Sequence, residues 1–260
     1  MCMLTVHQSP DAIVATMNRD EALARGPERA PQLHDSGDGS TWMAPLDSDK
    51  GGTWMGANSH GVVACLLNAY LPGESLRPDT SGKFRTRGEI IPALLQAGDA
   101  QAGLAWLQDE FRPEVYPSFT LLVASPGRTI SYEWLRQGSA RVREIDDEWI
   151  IRSSAGWDSE EIRVWREERF ARWRAAGCEE HDALPSFHVL QDPDNIEWSP
   201  LMRREWSATR SITQVSVSPG DASVEMRYWP EPTPDSREAG THLSVPLSAM
   251  DDKRIDAKAT

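Results

Sequence analysis

Cysteine is scarce in this chain. Three thiols, Cys2, Cys65 and Cys178, occur in 260 residues, and none belongs to a Cys-x-x-Cys pair. An odd, scattered set argues against a disulfide framework and against a structural zinc site, so a reduced, cytoplasmic compartment is the expected setting. Long apolar runs are also missing. No stretch of about 18 apolar residues exists, and the first residues lack a basic region followed by an apolar one, so neither a membrane span nor a signal peptide is expected. Positive charge is in short supply: 27 Lys and Arg against 40 Asp and Glu leave a net charge of -13. That balance opposes non-specific binding to nucleic acid or to anionic membranes. The arginines Arg163, Arg166, Arg169 and Arg172 alternate with acids and read as solvated helix faces. His7, His34, His60, His181, His188 and His242 show no diagnostic ligand spacing, and no cofactor or metal is expected. The sequence carries no internal repeat and no signature of oligomeric state.

What is present is an ordinary globular composition. At 39% apolar residues the chain can bury a sizeable core, and no composition break divides it. A single domain over residues 1–250 with a polar tail over 251–260 is the expected organisation. Met1-Cys2 opens the chain. If the initiator methionine is removed, Cys2 carries a thiol and a free α-amino group on one residue. An amine with a pKa of about 7.7 to 8.0 can accept the thiol proton near neutrality. The alternative is a cysteine that merely happens to be second. Cys65 lies in an apolar run and reads as core, and the acids beside Cys178 leave it without chemistry.

Met3 to His7 and Ala12 to Met17 read as a hairpin closed at Gln8-Ser9-Pro10-Asp11. Leu23 to Asp49, rich in Pro, Gly, Asp and Ser, reads as a long surface loop, and Leu71 to Phe84 as a second. Between them, strands flank a turn at Asn58 to Gly61, the second ending at Asn68. Helical spacing over Arg87 to Gln96 and Ala100 to Phe111 is broken at Gly98-Asp99. Phe119–Ala124, Thr129–Leu135, Ala140–Ile145 and Trp149–Arg152 read as a four-strand meander. Ser159–Ala175 is the strongest helix, with a further helix expected over His181–Leu190. Strands return over Ser211–Ser218, Val224–Trp229 and His242–Leu247. The order lacks regular β-α-β alternation, so an α+β fold of largely antiparallel sheets is expected.

The order and spacing of several short elements are more specific. Met1-Cys2, Asn18-Arg19-Asp20-Glu21, Gly51-Gly52-Thr53-Trp54-Met55-Gly56, Thr86-Arg87-Gly88-Glu89, Phe119 to Val123 and Thr209-Arg210-Ser211 together resemble the NRDE family, also called the transport and Golgi organisation family. That resemblance implies a four-layer αββα sandwich of the N-terminal nucleophile hydrolase type. Within that group, Gly56 to Gly61 leading to Leu67-Asn68 is similar to the strand-turn-strand of choloylglycine hydrolases and penicillin V acylases, whose closing asparagine lies in the oxyanion hole. The resemblance therefore implies Cys2 as nucleophile, Asp20 as holder of its amine, Asn68 as oxyanion donor and Arg19 beside them. Asn18, Trp54, Ser153 and Arg210 are implied as substrate-binding. Ser153 falls where those relatives have an asparagine, so one polar contact of the pattern is replaced or missing. Plainer roles stay open: turn capping for Asn18 and Asp20, turn formation for Asn68, backbone geometry and packing for the segment around Trp54, and an ion pair for Arg210. A hydrolase of a linear amide or acyl compound is the first expectation. The alternative is a noncatalytic protein that binds or carries a small molecule, haem-like or lipid-like, on the same fold.

Overall fold

The computed structural model describes residues 2–70, 82–154, 159–177 and 185–248. Met1, Cys178, His181, most of the expected loop after Leu71, the start of the helix expected at His181, and the polar tail lie outside those residues. Strands β1 (Met3–Gln8) and β2 (Ile13–Ala22) open the fold as a hairpin. They are followed by β3 (Arg29–Asp35), β4 (Thr41–Leu46), β5 (Met55–Asn58) and β6 (Val63–Asn68). Helices α1 (Ile90–Gln96) and α2 (Ala100–Asp109) precede β7 (Phe119–Ser125), β8 (Arg128–Trp134), β9 (Arg141–Glu144) and β10 (Trp149–Ser153). Helix α3 (Ser159–Ala175) leads to β11 (Ser207–Ser218), β12 (Ser223–Pro230) and β13 (Thr241–Pro246).

Two antiparallel sheets result. One runs β10-β1-β2-β11-β12-β13, the other β3-β4-β5-β6-β7-β8-β9. Strand alternation builds the layers. Leu4 and Val6 of β1 with Ala15 and Met17 of β2 meet Cys65, Leu67 and Leu122 of the second sheet in a core between the sheets. Each such side chain contributes about 1.5 to 3 kcal/mol of burial if it is Val- to Leu-sized. On the outer face of the second sheet, Ala64, Leu66 and Leu121 pack against Ile91, Leu94 and Leu95 of α1. On the outer face of the first, Met3 packs against Phe170 and Trp173 of α3 and Phe187. The stack is a four-layer αββα sandwich.

Three expectations change. Residues 23–49 are not one loop: they hold β3 and β4. β3 is an edge strand with exposed Arg29, Gln32 and Asp35, so no apolar period marks it, and Gly37 and Gly39 form the turn that follows it. The meander has three strands, β7 to β9, because β10 crosses to the first sheet and pairs with β1, Met3 opposite Ser153. In place of the helix expected to end at Leu190, the described residues hold a short 3-10 turn over Ser186–Val189.

Two of the short sequence elements are halves of one contact. Thr53 donates its N–H to the carbonyl of Gly88 at 2.9 Å. A Cβ on Gly52 would lie 2.6 Å from the Gly88 backbone, so only glycine permits that approach.

Candidate functional site

The candidate site lies where β1 begins. In the β1–β2 hairpin Met3 lies opposite Asn18, which sets Cys2 across from Arg19. Met3 and Asn18 face the helix layer, and Cys2 and Arg19 face the space between the sheets, where Cys2 packs against the central core. The Cys2 N–H donates to the Ser154 hydroxyl at 2.8 Å, and the Ser154 N–H returns a bond to the Cys2 carbonyl at 2.9 Å. The Cys2 thiol donates to the carbonyl of Asp20 at 3.9 Å. Burial pushes that thiol above its ordinary value, against the pull of the amino-terminal charge, with the Asp20 charge adding to the rise and Arg19 opposing it.

Asp20 lies on the helix side of β2. Its side chain is fully buried, and Oδ1 accepts the Thr209 hydroxyl at 2.7 Å. Oδ2 accepts no hydrogen bond, and the guanidinium of Arg166 of α3 places Nη2 4.0 Å from it. Burial raises the Asp20 carboxyl from 3.8 to about 6, against the pull of the amino-terminal charge, Arg166, Thr209 and Arg204.

Arg19 takes a different part. Its guanidinium stands 4.5 Å above the Trp54 ring and reaches Glu28 at 3.0 Å, Asp47 at 3.1 Å and Glu21 at 3.5 Å. Arg25 shares Glu21 and Asp47. The arginine thus ties β2 to the segments flanking β3 and β4, and Trp54 is a buried platform beneath it. Asn18 is buried and fully engaged: its amide donates to the carbonyls of His188 at 2.9 Å and Pro200 at 2.8 Å, and its oxygen meets the His188 ring at Nδ1, 2.5 Å away. His188 Nε2 meets the Thr5 hydroxyl at 2.7 Å, and burial lowers this imidazole to about 3, so it is neutral. Asn18 and His188 clamp the segment that runs over the first sheet.

Asn68 ends β6, half-buried, and its amide donates to the Tyr70 hydroxyl at 3.4 Å. Burial raises the Tyr70 phenol above its ordinary range, and the Cys2 and Glu21 charges push it the same way. Ser153 is half-buried in β10, paired with Met3. Arg210 is the extra residue of a bulge in β11, opposite the Arg19-Asp20 step of β2, and its carbonyl accepts from the Glu231 N–H.

Cys2, Asp20 and Arg19 therefore converge on the end of β1, while Asn18 serves the scaffold. Sequence reasoning missed Ser154, one residue beyond the serine it named, and Tyr70. It also misread Arg166 as solvated, although the guanidinium is completely buried. The signal was available: Ile162, Arg166, Phe170 and Trp173 recur at helical spacing, and all four are buried. Among the described residues no cluster of three or more His, Cys, Asp or Glu is arranged to hold a metal ion. None of the described helices is long and apolar enough to cross a membrane.

A family model described as Transport and Golgi organisation 2 matches residues 1–237. No match was found among curated proteins. Solved structures with the same architecture include a Caenorhabditis elegans N-acylethanolamine-hydrolyzing acid amidase ortholog, 12% identical, at a TM-score of 0.57 over 84% of this chain and 93% of that one. A mutant of the conjugated bile acid hydrolase from Clostridium perfringens is 11% identical, at a TM-score of 0.53 over 95% and 92%. Penicillin V acylase from Agrobacterium tumefaciens is 12% identical, at a TM-score of 0.51 over 96% and 87%. At these identities the likeness is one of fold.

Proposed function

Because the chain belongs to the Transport and Golgi organisation 2 family and has the fold of N-terminal nucleophile hydrolases, we propose that it is an N-terminal cysteine hydrolase of a linear amide or acyl compound. The observation that carries this reading is that, at the head of β1, the Cys2 thiol reaches the backbone carbonyl of Asp20, a residue whose buried carboxylate has one oxygen without a hydrogen-bond partner. Removal of Met1 frees the Cys2 amine, whose nitrogen lies 2.8 Å from the Ser154 hydroxyl, to take Asp20 as its counter-ion. The amine accepts the thiol proton, Asp20 accepts a hydrogen bond from the resulting ammonium, and the thiolate attacks the substrate carbonyl. The amide of Asn68, 3.4 Å from the Tyr70 hydroxyl, is the donor assigned to the developing oxyanion, worth about 2.7 to 4 kcal/mol when well placed, with Tyr70 beside it. Ser154 fixes the Cys2 nitrogen in the place of the asparagine that the resemblance led us to expect near Ser153. Arg19, with Trp54 and its three acids, forms the wall between the sheets, and Arg210 at the bulge is a substrate contact. A free thiol nucleophile suits a reduced, cytoplasmic setting, and Cys2 and Cys65 are both unpaired. The shared core between the sheets supports reading residues 1–250 as one domain.

The raised thiol pKa favours a second reading, a noncatalytic pocket that binds a haem-like or lipid-like molecule, since burial alone makes Cys2 a poorer nucleophile. Intact mass and iodoacetamide labelling with peptide mapping separate the two. The hydrolase reading requires loss of Met1 and faster labelling at Cys2 than at Cys65, with the advantage abolished in Asp20→Ala. Retained Met1, or equally slow labelling of both thiols, refutes it in favour of the binding reading.

A further inference from the structure

Three of the arginines on α3 are at least partly exposed and held in ion pairs. Arg163 pairs with Glu160 and Glu167, Arg169 with Asp192, and Arg172 with Glu168. Arg166 is different. Its side chain is 0% exposed, Nε donates to the Trp198 carbonyl at 2.8 Å, and Nη2 donates to the Ser199 carbonyl at 3.1 Å. Nη1 has no hydrogen-bond partner. The carboxylate it faces, Asp20, is also 0% exposed and has a free Oδ2, 4.0 Å from Nη2.

Burying a guanidinium costs several kcal/mol, and a docked carboxylate is the usual compensation. Here the guanidinium is oriented by two carbonyls and held just beyond hydrogen-bonding distance of the carboxylate. The arrangement delivers positive charge to Asp20 without consuming Oδ2. A closed ion pair would neutralise Asp20 as well, but would occupy the oxygen that the Cys2 amine needs.

We propose that Arg166 is a positioning residue of this site: from the helix layer it holds Asp20 ionised while leaving Oδ2 open to the amine of Cys2. The inference rests on the hydrolase reading for its consequence, and on the Arg166–Asp20 geometry for its substance. The proton of the Cys2 thiol passes to the amine, and Asp20 binds the ammonium without itself taking a proton. Loss of the Arg166 charge lets Asp20 protonate at higher pH, so the ammonium loses its partner and the thiolate its counterpart. The other groups that act on Asp20 are the amino-terminal charge and the Cys2 thiol ahead of β1, the Thr209 hydroxyl from β11 and Arg204 from the segment before it. They stay the same across the variants below.

The test uses full-length protein, wild type, Arg166→Gln and Arg166→Lys. Two readouts are taken: the titration midpoint of Asp20 by carbon NMR, assigned with Asp20→Asn, and the pH profile of Cys2 alkylation by iodoacetamide. Arg166→Gln is expected to raise the Asp20 midpoint by about 1 to 3 pH units, the usual effect of an opposite charge at this range, and to carry the acid limb of the alkylation profile with it. Arg166→Lys keeps the charge but not the paired carbonyl contacts, and is expected to restore most of both. An unmoved Asp20 midpoint in folded Arg166→Gln overturns the proposal and leaves Arg166 as a clamp on the Trp198-Ser199 segment. If Arg166→Gln does not fold, the double variant Asp20→Asn/Arg166→Gln decides: recovery of folding supports the charge coupling, and failure of both overturns it. A wild type in which Cys2 alkylates no faster than Cys65 defeats the hydrolase reading, while the Asp20 midpoint still reports on Arg166 independently.

Discussion

Asp20 is held where its ionisation costs stability, and Asp20→Asn exposes that cost. The carboxyl rises from 3.8 to about 6 because burial disfavours its charged form more than the amino-terminal charge, Arg166, Thr209 and Arg204 favour it. At about 1.4 kcal/mol per pH unit, the rise is worth about 3 kcal/mol. The sign follows from proton binding: between pH 3.8 and about 6 the native protein keeps a proton that the unfolded chain has released. The contribution of Asp20 to stability is therefore complete below pH 3.8 and is lost as pH rises through about 6. Asn cannot ionise, so Asp20→Asn lacks this loss. Urea unfolding of both proteins across this range, with the m-value checked for constancy, isolates the difference. Asp20→Asn should gain about 3 kcal/mol relative to wild type between the acid and the neutral end of the range, whatever its offset. Parallel stability curves would show that the buried carboxylate is fully compensated and that its free Oδ2 stores no unmet charge.

His188 makes the opposite prediction. Its ring is neutral down to about 3, so an unfolded chain takes up a proton below an ordinary histidine pKa that the native chain refuses, and stability falls as pH drops from 6.5 towards 3. His188→Gln should flatten that acid loss while costing about 2 to 4 kcal/mol at neutral pH through broken bonds to Asn18 and Thr5, measured by the same unfolding series. Gly52→Ala forces a Cβ to within 2.6 Å of the Gly88 backbone and should lower stability by about 1 to 3 kcal/mol, whereas Gly220→Ala, with nothing within 4 Å of its Cβ, should be near neutral in thermal melts. Ser154→Ala removes the acceptor for the Cys2 nitrogen and should slow Cys2 alkylation about 5-fold, the worth of one ordinary hydrogen bond, without altering the melting temperature in proportion.

The hairpin, the Asn58–Gly61 turn, the strands around them and α3 were legible because their apolar periods and turn residues agree. β3 was not, since an edge strand carrying Pro31 and charged side chains has no apolar face to betray it; β4 does carry an apolar run, Trp42 to Leu46, which the surrounding Pro, Gly, Asp and Ser masked. The closeness of Cys2 to the Asn18 to Glu21 stretch was legible from the two short elements, but the different surroundings of the residues within that stretch were not. Alternation along β2 sends Asn18 and Asp20 to the helix layer and Arg19 to the space between the sheets, and only the packing of both sheets assigns each face a partner. Arg166 was hidden by its neighbours: among arginines paired with acids, one buried guanidinium looks like the rest until the Ile162-Phe170-Trp173 stripe is laid over it.

The account stands or falls on a bond to the Cys2 sulfur. Incubation of the wild type and Cys2→Ala with a p-nitrophenyl acyl ester, followed by intact mass and peptide mapping, reads it directly. The expected result is a chain without Met1 carrying one acyl group on Cys2, absent from Cys2→Ala and from wild type denatured before incubation. Met1 retained, or acyl groups spread over Cys65 and lysines with none enriched at Cys2, would contradict it.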